Sequence, residues 1–179
     1  MNIISAILFV VGFVILFFGI FLKMSNFLDV RKIFLEHFSV FKGNPLQLIS
    51  IFIVPFLFSV GIVRIRCVDR EILNNLNIVL SILIAMFFST LSILCAFEDK
   101  SNKNLTYKKV LKETFNATIF EAMICLLLLF VSFITLFIGK FEQSLYLQII
   151  SGSIYYLAIV AVLNILVIIK RLKVLFDNK

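Results

Sequence analysis

An all-α membrane protein, a bundle of about five transmembrane helices with an interfacial amphipathic helix between the first two spans, is the fold class this sequence predicts. Three observations predict it. Of the 179 residues, 62% are hydrophobic and the mean hydropathy is +1.14, which leaves too little polar surface to cover a globule in water. The apolar residues gather into five runs, free of charge but for Glu121 in the fourth, and a hydrocarbon core about 30 Å thick takes about 20 helical residues at about 1.5 Å each. The cations between those runs fall mostly on one side. The chain 1–179 reads as a single helical domain.

The first run is Asn2 to Leu22. No basic residue precedes it and no small-x-small cleavage site follows, so it is expected to stay as a helix and not to be removed as a leader. Ser5, Gly12 and Gly19 recur every seven residues on one face and are candidates for close helix contact. From Asn26 to Lys42 the period is that of a helix: Phe27, Val30, Phe34, Phe38 and Phe41 share a face opposite Asp29, Lys32, Glu36 and Ser39. This helix is expected to lie along the membrane surface, with Arg31 and Lys32 among the cations that meet lipid headgroups or a partner. His37 flanks the apolar stripe; an interfacial imidazole without a task is preferred to a pH-sensing or ligand role.

Leu46 to Val63 is the shortest run, with Pro45 at its entrance and Pro55 in its middle. A re-entrant hairpin is the rival reading there and would leave four spans. Leu76 to Phe97 carries a ladder of small residues, Ser81, Ala85, Ser89, Ser92 and Ala96, within about a quarter of the helix circumference. Small residues let backbones approach in lipid, so the ladder is expected to pack against another helix, by preference within the chain.

A polar segment from Glu98 to Asn116 carries five lysines and precedes the fourth run, Ala117 to Gly139. Asn104 or Thr106 can cap a helix here. No Gly or Pro interrupts Leu105 to Ile138, so one continuous rod is expected, with Tyr107, Leu111, Phe115 and Thr118 on one face and Lys109, Lys112 and Asn116 on the other. Glu121 falls about one turn inside the span, at a depth from which a carboxylate could still reach water or a basic neighbour. The fifth run, Leu145 to Ile169, holds Asn164, expected to hydrogen-bond to another helix.

Charge orients the bundle, because cytoplasmic loops collect Lys and Arg. With five spans, 13 cations lie on one side and four, Arg64, Arg66, Arg70 and Lys140, on the other. If the second run did not cross, the split would be 8 against 9 and would carry no preference. Five spans, with the N-terminus outside and the C-terminus in the cytoplasm of a bacterial inner membrane, is therefore the reading with a physical asymmetry.

Catalytic constellations are missing from the sequence. It contains no P-loop, HExxH or GxSxG, and a single histidine, so the chain reads as non-enzymatic and without cofactor or metal. Cys67, Cys95 and Cys125 form neither a CxxC pair nor a Cys/His cluster and read as unpaired, mostly lipid-facing thiols. The sequons at Asn104 and Asn116 lie in the predicted cytoplasmic segment and read as chance. Lys108, Lys109 and Lys112 read first as positive-inside anchors attracted to anionic lipid, and second as a docking surface for an acidic cytoplasmic protein. One Tyr and one Phe among them argue against direct nucleic-acid binding.

The runs NPLQLISIFIVPFLFSVGI from Asn44, NLNIVLSILIAMFFSTLSILCAFEDK around Asn77, KKVLKETFNATIFEAMICLLLLF from Lys108 and YYLAIVAVLNILVIIKRLKVLF from Tyr155 resemble small bacterial membrane proteins that occur beside anti-phage defence genes. The membrane subunit of Kiwa-type systems and the multi-pass accessory proteins of some RNA-targeting CRISPR systems are similar. The resemblance implies four spans and a homo-oligomeric inner-membrane component that senses infection or perturbs the membrane with a cytoplasmic partner. An anti-phage defence subunit coupling a membrane event to that partner is the first functional expectation. An oligomeric pore or holin-like effector is the second, and a small transporter dependent on Glu121 the third.

Overall fold

The structure, a computed structural model, describes residues 45–99, 105–138 and 145–177 together with positions 11, 12, 15, 33–35 and 37. Every described residue outside 66–69 is helical. Four long helices make up the body: α1 (Pro45–Ile65), α2 (Arg70–Asp99), α3 (Leu105–Ile138) and α4 (Leu145–Asp177). Of these α2, α3 and α4 are long and apolar enough to cross a membrane, while the apolar stretch Ile49–Ile65 of α1 is shorter. Phe56, Phe58, Met86, Phe88 and Phe137 are exposed on the outer faces, a surface suited to lipid. This is a membrane protein.

Three of the five predicted spans are thus found as long apolar helices at their predicted places, and the second as α1. The first, 2–22, and the amphipathic segment 26–42 lie outside the described residues apart from the few helical positions above. The helices overrun the predicted spans at polar ends. α2 begins at Arg70, six residues ahead of Leu76, and α4 continues through Lys170 and Lys173 to Asp177. Hydropathy measures depth in lipid; backbone hydrogen bonding continues into water. At about 1.5 Å per residue α3 runs about 51 Å, well beyond a hydrocarbon core of about 30 Å, so its Lys-bearing turns continue the membrane rod as the unbroken sequence predicts.

The helices contact one another in the order α1, α4, α3, α2. On α2 the inward face is Leu73, Asn77, Leu80, Ile84, Phe87, Leu91 and Leu94, in steps of four and three. On α3 the same steps bury Thr114, Thr118, Glu121, Cys125, Leu128, Ser132 and Thr135. On α4 the repeat runs through Leu147, Ser151, Ile154, Ala161, Asn164, Ile168 and Leu175. A spacing that averages 3.5 is the seam of left-handed helix packing, the common geometry in membranes. Of the candidate spans α3 is the most enclosed, with 44% of its apolar window buried against 17% for α2 and 28% for α4.

This face corrects the small-residue expectation. Ser81, Ala85, Ser89, Ser92 and Ala96 are all exposed, on the side of α2 turned away from α3. The hydroxyls of Ser81, Ser89 and Ser92 donate to the carbonyls of Asn77, Ala85 and Phe88 one turn earlier, at 2.8, 3.0 and 3.0 Å. Hydroxyls satisfied in this way tolerate lipid, and none of the described helices packs on the ladder. Gly12 is also exposed, with nothing within 4 Å of its Cβ position; Ser5 and Gly19 lie outside the described residues.

The α1–α2 loop explains how the chain reverses in four residues. Val68 is buried and its N–H donates to Ser151 Oγ of α4 at 3.0 Å. Asp69 caps α2: Oδ1 accepts the Ile72 N–H at 2.8 Å, the carbonyl accepts the Leu73 N–H at 3.1 Å, and Oδ2 pairs with Arg66. The Ile72 amide, with Arg66 second, holds the Asp69 carboxyl below its ordinary range, so the cap is in place at neutral pH and is lost only as acid titrates the lowered group. Asp69→Ala is expected to raise hydrogen exchange at Ile72 and Leu73 several-fold while leaving Leu94, at the far end of α2, unchanged.

Candidate functional site

The antiparallel arrangement of α3 and α4 places polar side chains at matching heights along their contact. Glu113 of α3 accepts from Arg171 Nη1 of α4 at 2.8 Å, and both side chains are largely covered. From Glu113 to Glu121 is eight residues and from Arg171 to Asn164 seven, so Glu121 and Asn164 meet about 10–12 Å deeper than the ion pair.

Glu121 is fully buried. The Cys125 thiol, one turn on, donates to its Oε1 at 3.8 Å. Asn164, 2% exposed, stands at the matching height on α4. Yet Glu121 Oε2 and both amide atoms of Asn164 have no hydrogen-bond partner among the described residues. Around them Thr114 and Thr118 are also fully buried, their hydroxyls donating to the carbonyls of Val110 and Thr114 at 2.7 and 2.9 Å. Ser132 Oγ of α3 and Asn77 Oδ1 of α2 are likewise buried without a hydrogen-bond partner, but of the unsatisfied groups at this height the carboxyl and the amide face each other across the α3–α4 contact.

Two expectations change here. A carboxylate near enough to the surface to reach water or a cation is not what the fold provides: neighbouring side chains seal Glu121, and the nearest arginine on α4 is engaged by Glu113. Cys125 is a buried member of this cluster and not a lipid-facing thiol, whereas Cys95 is exposed and Cys67 half-buried. Asn164 is buried at the same contact, but the hydrogen bond expected of it is not seen: neither amide atom has a partner among the described residues.

Next to this cluster, Phe120 of α3 packs against Phe34 and His37. Phe34 meets its ring edge to face at 5.1 Å, and His37 lies flat on it at 3.9 Å with the planes 7° apart. His37 is 3% exposed, so it is not an interfacial imidazole flanking the stripe but part of the packing. Burial, with Arg171 as a second cause, pushes His37 down from 6.5 to about 4.

The basic surface sits at the same end. Tyr107 and Leu111 of α3 pack with Leu94 and Leu175, which fixes the first turns of α3 against α2 and α4. Lys108, Lys109 and Lys112 are exposed, as are Lys170 and Lys173 of α4. Arg31 and Lys32 lie outside the described residues. At the opposite end a groove of about 580 Å³ between α1 and α4 is lined by Phe56, Val60, Ile149 and Tyr156, with Arg64 and Gln148 at its polar positions.

Compared with protein-family models, with curated proteins and with solved structures, this chain matches none. Its function is therefore argued from the sites alone. Among the described residues no group of three or more His, Cys, Asp or Glu is placed to hold a metal ion.

Inspection of the sequence did not single out Thr114, Ser132 and Thr135, nor the seam they form with Thr118, Glu121 and Cys125 on α3. Thr114, Thr118, Glu121, Cys125, Ser132 and Thr135 repeat in steps of four and three with only Leu128 among them, a polar stripe on an otherwise apolar helix. That stripe was the available signal: on a lipid-facing helix, polar groups collect where another helix covers them.

Proposed function

We propose that this protein is a non-enzymatic, multi-pass inner-membrane component that couples an event in the bilayer to a cytoplasmic protein partner. The observation that carries the reading is the pairing of a rigid rod with an outward-facing basic end. Lys108, Lys109 and Lys112 stand exposed on turns of α3 that are continuous with its membrane span and clamped to α4 through Glu113 and Arg171. A displacement of α3 within the bilayer would be carried directly to that surface.

The proposed topology is five spans, with the N-terminus outside and the lysine-bearing ends in the cytoplasm. It is supported by the four-residue reversal between α1 and α2, which touches α4 at Ser151, so that Arg64, Arg66 and Arg70 gather at one end and the α3 and α4 lysines at the other. The anti-phage setting comes from the resemblance of the apolar runs alone. Anionic lipid would compete for the same lysines, but a partner is favoured by their projection beyond the hydrocarbon on a helix longer than the membrane needs.

Reversing the charge at Lys108, Lys109 and Lys112 to Glu is expected to abolish recovery of a soluble partner after crosslinking in membranes, with the variant still inserted. Association should also weaken steeply with salt, since it rests on exposed charges. A complex that survives the triple change intact would remove this surface from the mechanism.

A pore reading would have Asn164 line a channel. The side chain is instead enclosed between α3 and α4 of one chain, which gives that reading no support here.

A further inference from the structure

We infer that Glu121 and Asn164 form a proton-binding site inside the membrane, in which Glu121 is held as the neutral acid and its proton is shared with the Asn164 side chain. Three observations carry this. Glu121 is buried by the protein itself, at the contact of α3 and α4, so surrounding lipid adds to its isolation and cannot relieve it. No cation faces it. α1 has no charged residue between Pro45 and Val63, α2 none between Ile72 and Phe97, and α4 none between Leu145 and Ile169; the first arginine of α4 is the one engaged by Glu113. The remaining titratable neighbours are Cys125, which donates to Oε1, and His37, which lies on the adjacent Phe120 ring.

The third observation is the complementarity of what is unsatisfied. A carboxylate can only accept, so it could take the Asn164 NH₂ but would leave the amide carbonyl without a donor. A protonated carboxyl donates one O–H and still accepts. Glu121 Oε2 and the Asn164 amide, which offers a carbonyl and an NH₂ group, are together able to close a two-way pair once the proton is present. An ionised carboxylate left unpaired in such surroundings is costly enough that it takes up a neutralising ion, and the simplest is a proton. Asn164 is then a positioning residue: it sets how firmly the proton is held and in which direction the O–H points.

The site goes beyond partner docking and would survive its failure. Because Glu121 lies two turns below Glu113 on the same helix, gain or loss of its proton would bear on the contact that fixes the basic end. The measurement is infrared difference spectroscopy in lipid bilayers near pH 7, comparing the wild type with Glu121→Gln. The wild type should show the C=O stretch of a protonated carboxyl that the variant lacks, sensitive to exchange into D₂O, and Asn164→Leu should move that band as its partner is lost. A difference spectrum with only ionised-carboxylate bands overturns the proposal, as does a protonated band that addition of sodium or potassium converts to carboxylate, which would make the site one for a metal cation. If Glu121→Gln does not fold, the wild type alone decides: the other nine acidic residues lie outside the predicted spans, so absence of any protonated-carboxyl band at neutral pH refutes the site and its presence supports it.

Discussion

Replacing Phe120 by alanine is expected to destabilise the helical body by about 2–4 kcal/mol and to release residues 33–37 from it. The ring is 1% exposed and bears Phe34 on its edge and His37 on its face. In a water-soluble core such a truncation costs roughly 3–5 kcal/mol, the sum of a transfer term and a cavity term. In a bilayer the transfer term shrinks, because lipid chains solvate a phenyl ring about as well as leucine does. What remains is the lost dispersion contact and the void between α3 and the amphipathic segment, which lipid cannot enter without separating them. Phe120→Leu, which keeps most of the volume, should cost less than about 1.5 kcal/mol. Unfolding in mixed micelles gives the energies, and proteolysis near residue 33 reports release. Equal stability of the alanine variant and the wild type would mean that the segment does not rest on Phe120.

The contrast between Phe120 and the Ser/Ala ladder shows what a sequence of this kind discloses. Long apolar runs disclosed the helices and their places, because the cost of an unpaired backbone in lipid makes helix the only open-ended solution. The continuous rod from Leu105 to Ile138 was legible because nothing in it breaks a helix. Which face packs was harder, since in lipid both Leu and Ser can point either way. The ladder on α2 satisfied the small-residue rule and faces outward, while Leu73, Leu80 and Leu94 face inward on a 3.5-residue repeat shared by α3 and α4. The sharing of that repeat was the more reliable signal. The depth of Glu121 was readable to within a turn; its enclosure was not, because enclosure depends on Asn164 and the α4 face, 43 residues further along the chain. His37 was misjudged for the same reason, as its partner Phe120 belongs to a different predicted element.

Acidification should loosen the same contact from the other side. His37 is buried as the neutral imidazole, and its folded-state value of about 4 lies below the ordinary 6.5. A group depressed on folding binds its proton more readily once released, so stability is complete above about pH 6.5, falls as pH drops toward 4, and levels off below that. Spread over that interval, the loss amounts to about 3 kcal/mol, at about 1.4 kcal/mol per pH unit. One effect opposes it: an imidazolium stacked on Phe120 gains a cation–π attraction of about 1–2 kcal/mol. Desolvation and the like charge of Arg171 outweigh it, since the ring can stabilise the cation only on one face while burial strips water from all of them. His37→Phe should therefore flatten the dependence between pH 7.5 and 4.5 while keeping the segment docked. Hydrogen exchange of residues 33–37 against pH provides the test. Protection that stays constant across that window in the wild type, or a slope that persists unchanged in His37→Phe, would place the pH-sensitive group elsewhere.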